Sequence, residues 1–326
     1  MRGNARPASA LGLVLALTLL PLAAGCALAE DAGSARQARA VSSALGERAT
    51  AAFWGAFRDA RYEAIPEVHT LLAAAYDENP HDPRVAMLLG QLHFWKAAER
   101  ARDTRRAPTI AEHLILAERY LHEAARLAPD DHRIPGWVGG LELALGNVHG
   151  DPGLTRRGYF RLRKAMLAYP EFNGFSFAFP LISQPPASPL LREAVDAMWE
   201  TAELCNRERY DRARPHLEYR RFAQHRTAAG RTRVCWNTEL VPHNMEGFFL
   251  HFGDLLLKAG FEEAARAAWD VIPQIPEYAT WRYQAALEDR RTHFARWSRT
   301  LRDDDPDNDP PYMLRSPLSC TGCHAS

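Results

Sequence analysis

The sequence predicts an all-α protein, an array of stacked helix pairs, on three observations. From residue 44 onward apolar residues recur mostly at helical spacing, and no sustained strand-like alternation interrupts them. Segments of helix length are separated by Pro, Asn, Asp and Gly punctuation. Small residues, among them Gly90, Gly140 and Gly253, recur within the apolar runs.

The elements follow in order. Phe53, Phe57 and Tyr62 lie on a first apolar run, and Val68, Leu71, Leu72 and Tyr76 form a second after Pro66. Asn79-Pro80-His81-Asp82-Pro83 then reads as a turn and helix start. A helix is predicted over 84–100, with Leu88, Leu89, Gly90 and Phe94, and another over 112–127, with Ala117, Leu121 and Ala124. Ala101 to Thr109 link them, and Ala128-Pro129-Asp130-Asp131 closes the unit. A second unit from Arg133 places Trp137, Gly140 and Leu143 on one helix and Leu162 and Ala165 on the next, with a polar, glycine-rich insertion expected over 146–158. A third has Phe249, Phe252, Gly253 and Leu256, a turn at Ala259-Gly260, then Ala265, Trp269 and Ile272.

These residues resemble the tetratricopeptide pattern, and the third set fits one 34-residue frame from Glu246 to Ala279. The resemblance implies an irregular tetratricopeptide-like α-solenoid or a compact helical-repeat array, with a concave surface suited to a protein partner. Two segments depart from it. Residues 171–189 are rich in Phe and Pro and read as a rigid connector that no long helix crosses, or as a lid or recognition loop. Thr280 to Leu301 reads as one further helix, and 302–326 as a polar linker and tail. Its acidic run lacks the spacing of a calcium loop.

Arg2 and Arg6 followed by the apolar stretch Ala8 to Ala24 read as a signal peptide over 1–25. Leu22-Ala23-Ala24-Gly25-Cys26 resembles the lipobox of bacterial lipoproteins, which implies lipidation of Cys26, a flexible tether over 26–43 and the periplasmic face of the outer membrane; ordinary cleavage before Glu30 would give a soluble periplasmic protein. The 40 basic and 40 acidic residues give no reason to expect nucleic acid as a partner. An oxidising compartment permits a Cys205–Cys235 disulfide.

Cys320-Thr321-Gly322-Cys323-His324 is the sharpest chemical motif. It resembles the haem-attachment sequence of c-type cytochromes. That resemblance implies covalent haem c on Cys320 and Cys323, iron ligation by His324, and work in electron transfer or envelope redox assembly with a protein redox partner. Met313, His243 and His251 are candidates for the remaining iron ligand, and His243, Asn244, Glu246 and His251 form a polar cluster in sequence. The competing uses of the terminal residues are a disulfide, or zinc or copper binding, on an envelope scaffold. No serine-hydrolase elbow, phosphate loop or paired-histidine protease motif points to an enzyme.

Overall fold

A computed structural model describes residues 42–215, 230–235 and 245–303, with residues 305, 307–309, 312, 314 and 318 of the C-terminal tail. Among the described residues every regular element is helical. The α-helices are α1 (Ala44–Arg58), α2 (Ile65–Glu78), α3 (Pro83–Ala98), α4 (Glu112–Leu127), α5 (Arg133–His149), α6 (Pro152–Ala168), α7 (Pro170–Leu181), α8 (Pro189–Asn206), α9 (Met245–Lys258), α10 (Glu262–Val271), α11 (Gln284–Thr292) and α12 (Phe294–Arg302).

Local chemistry sets where these helices begin and end. Ser43 caps α1 by accepting from the Gly46 amide at 3.0 Å. Asp82 caps α3, Asp151 caps α6 and Ser188 caps α8, each followed by a proline whose missing N–H costs nothing in the first turn. Gly150 (φ +62°) and Gly260 (φ +88°) take the left-handed conformation just past α5 and α9, where a side chain would be strained.

Consecutive helices pack in pairs, α1 with α2, α3 with α4, α5 with α6, α7 with α8 and α9 with α10. The first helices of successive pairs, α1, α3, α5 and α7, also touch in order, which makes the chain an all-α helical-repeat array. Small residues permit the pairing. A Cβ on Gly90 would fall 2.6 Å from Leu121 Cγ, and one on Gly253 would fall 2.2 Å from Trp269 Nε1. The Trp269 indole in turn donates to the Leu250 carbonyl at 3.2 Å, so the small residue and the large one lock α9 to α10 together. Two apolar clusters result, one over roughly the first half of the array, around Trp95, Phe57 and Leu121, and one over the second, around Trp269, Phe249 and Phe252.

Three expectations change. The polar insertion over 146–158 shrinks to the Gly150-Asp151 turn, because Gly146 and Gly158 are packing residues. A Cβ on Gly158 would meet the Leu143 amide nitrogen at 2.6 Å, and one on Gly146 the Thr155 nitrogen at 2.6 Å, so α5 and α6 touch backbone to backbone. The connector over 171–189 is helical through Leu181: Pro170 sits in the first turn of α7 and Pro180 in its last, where neither ring obstructs the helix between them. Phe177 and Leu181 bury that helix against its neighbours. The single helix over 280–301 is divided at His293 into α11 and α12. Asp289 gathers the His293 ring, the Arg296 guanidinium and the Trp297 indole within 2.9 Å, and the bend lets α11 deliver Arg290 to Asp254 of α9 while α12 buries Phe294 and Leu301.

Candidate functional site: the docked C-terminal tail and its cleft

The chain beyond α12 returns across the array. Lys258, at the last turn of α9, is buried and donates to the Asp309 carboxylate at 2.7 Å and to the Tyr312 hydroxyl at 3.1 Å. Burial first, and then the hydrogen bond to Asp309, push the Tyr312 phenol up from its ordinary pKa, so it stays a neutral phenol. Leu314 packs against the second-half apolar cluster, and Leu318 is buried in the first-half cluster. Ion pair, phenol and two leucines thus pin the described part of a tail expected to be a polar linker.

Leu318 borders a cleft of about 240 Å³ with Phe94, Trp137, Leu143, Phe172 and Phe179. Four helices, α3, α5, α6 and α7, supply its wall. Two of its polar atoms, Trp137 Nε1 and Asn173 Oδ1, are buried with no hydrogen-bond partner among the described residues. The Asn173 amide nitrogen is held by the His132 and Ala165 carbonyls, each at 3.0 Å, which fixes that side chain beside the cleft. A Cβ on Gly136 would fall 2.0 Å from Asn173 Oδ1, so glycine is required there. Aromatic walls with a few orphaned polar atoms are the composition of a ligand site, but the volume lies below the range of roughly 300–1,000 Å³ in which such sites enclose a small molecule.

Of the residues singled out from sequence, Cys26, His243, Met313, Cys320, Cys323 and His324 lie outside the described residues. Cys205 and Cys235 are bonded to each other, with Cα atoms 5.7 Å apart, and tie the end of α8 to the turn at Gly230–Cys235, whose Thr232, Val234 and Cys235 are buried. His251 is buried on α9, and neither ring nitrogen has a hydrogen-bond partner among the described residues. Burial, and secondarily the Arg290 charge, hold its pKa down at about 3, so it is a neutral imidazole. It does not line the cleft; His251 and Phe179 each lie 6.4 Å from the Phe175 ring.

One cluster left no signal in the sequence. His93 of α3 and His113 of α4 meet with Nδ1 atoms 2.8 Å apart, the His69 ring lies 5.2 Å from His93, and Tyr120 stacks on His93 at 5.7 Å. Burial, then the neighbouring His113 and His69, lower His93 to a pKa of about 3. At such a contact one imidazole donates and the other accepts, and because burial lowers the pKa of His113 as well, both rings are neutral near pH 7. These residues come from three helices, and only the packing joins them. Among the described residues no three His, Cys, Asp or Glu side chains are arranged to hold a metal ion.

No known protein family, curated protein or solved structure matches the chain.

Proposed function

We propose that this is an exported haem c protein of the bacterial envelope that carries electrons to or from a protein partner. Cys320 and Cys323 would form the thioethers and His324 would ligate iron. Lipid on Cys26 would tether the molecule to the periplasmic face of the outer membrane. The observation that carries the reading is the burial of Leu318 in the aromatic cleft. In the sequence Leu318 stands two residues before the first cysteine of the Cys320-to-His324 motif.

The residues at the cleft fit an edge-on group. Phe94, Phe172 and Phe179 would exclude water from one edge of a macrocycle, and Trp137 Nε1 offers it an unused donor. The haem would supply one-electron chemistry; Lys258, Asp309, Tyr312, Leu314 and Leu318 hold the described tail residues that precede the motif against the array. With a cleft too small to enclose it, much of the haem would face a partner, which suits transfer between proteins.

Expression in a host competent for cytochrome maturation, followed by haem staining of denaturing gels and intact mass, tests the proposal. Covalent haem that disappears in Cys320→Ala and Cys323→Ala is the expected result. Its absence in the wild-type chain, where a control cytochrome matures, would sink the proposal and leave a helical scaffold whose terminal cysteines pair or bind metal.

A further inference from the structure

Helix α6 carries five cations, Arg156, Arg157, Arg161, Arg163 and Lys164, and no carboxylate in its 17 residues, in a chain whose formal charge is zero. Its inner face, Gly158, Leu162, Ala165 and Met166, is buried. Its outer face is unusual for an array helix. Phe160 and Leu167, seven residues apart and so nearly in line along the helix, are 57% and 62% exposed. All five cations are exposed around them. Arg161 and Arg163 are occupied by Glu142 and Glu193, whereas Arg156, Arg157 and Lys164 have no carboxylate within ion-pair distance among the described residues.

We infer that the outer face of α6 is a membrane-contact surface that lies on anionic phospholipid headgroups, with Phe160 and Leu167 entering the boundary below them. Charge complementarity selects an anionic occupant. Two apolar side chains standing out from a helix among cations form the pattern of an interfacial helix. The inference takes from the proposed function only its envelope address and goes beyond the lipid tether. About sixteen residues separate Cys26 from Ser42, a span of at most roughly 55 Å, so a tethered body has room to turn this face to the bilayer.

The test uses the chain from Ala27, which lacks the signal sequence and the lipidated cysteine but keeps all of the compact unit that begins at Ser42. Its sedimentation is measured with phosphatidylglycerol-containing vesicles and with pure phosphatidylcholine vesicles. Binding to the anionic vesicles alone, weakened by salt, is expected. Replacing Arg156, Arg157 and Lys164 by Gln lowers that affinity on the order of a hundredfold. Replacing Phe160 and Leu167 by Ser weakens the binding that survives at higher salt. These side chains are exposed, so matching melting curves separate lost binding from lost folding. Equal binding to both vesicles, no binding, or binding unchanged in both variants overturns the inference. Capture by polyglutamate without vesicle binding also overturns it, and assigns the face to an acidic polypeptide. Haem content, read on the same samples, can fail or succeed independently.

Discussion

Acidification should loosen this protein through His93, and the size of the effect follows from its surroundings. The ring is buried between α3 and α4 against His113, His69 and Tyr120, with Lys96, Asp103 and Glu112 acting on His113 from the rim. Its pKa is about 3 in the folded chain, against about 6.5 for an unfolded histidine. A depressed histidine leaves stability intact above the unfolded pKa. Between the two values only the unfolded chain binds the proton, so stability falls as pH falls, by about 1.4 kcal/mol per unit. At pH 5 His93 alone therefore costs about 2 kcal/mol, a large fraction of a net stability of 5–15 kcal/mol. Urea denaturation near pH 7.5 and near pH 5 measures it, with His93→Gln as the comparison because glutamine can still hydrogen-bond to His113. The wild type should lose about 2 kcal/mol more than the variant across that interval, the other titrating groups cancelling. Equal losses in the two proteins would refute a buried neutral His93.

Gly139→Ala places a Cβ 2.7 Å from the Leu162 amide nitrogen, forces α5 from α6 and should cost about 1–3 kcal/mol, read as a lowered melting temperature. Arg290→Met leaves the Asp254 carboxylate buried without its two guanidinium bonds of 2.7 and 2.8 Å; a loss of about 3–5 kcal/mol in chemical denaturation is expected, and a change below 1 kcal/mol would argue against the buried pair. Lys258→Ala removes the shared partner of Asp309 and Tyr312, so limited proteolysis should cut the tail faster while the array keeps its melting temperature.

The proline positions illustrate how far local rules reach. Pro83, Pro152 and Pro189 start helices directly after a capping Asp or Ser, but only the start at Asp82-Pro83 is legible, because the other two stand in segments whose glycines and prolines read as an insertion and a connector. Residues 171–181 misled for the same reason: proline forbids a helix interior but not its first turn, and the pattern of α7 shows its buried face only once α8 and the second-half cluster lie against it. Gly146 and Gly158 likewise read as loop residues until the partner backbone is in view.

Spacing along the chain was enough to read the all-α class, the small residues at Gly90 and Gly253 and the Cys-x-x-Cys-His pattern of Cys320 to His324, because each is a local feature of the sequence. Only the tertiary structure decided that Lys258 would anchor the tail, that Leu318 would enter a cleft walled by four helices, that three distant histidines would meet, and that the cations of α6 would face outward with Phe160 and Leu167. Those are contacts between segments far apart in sequence, selected by which apolar faces could be buried together, and no local pattern encodes them.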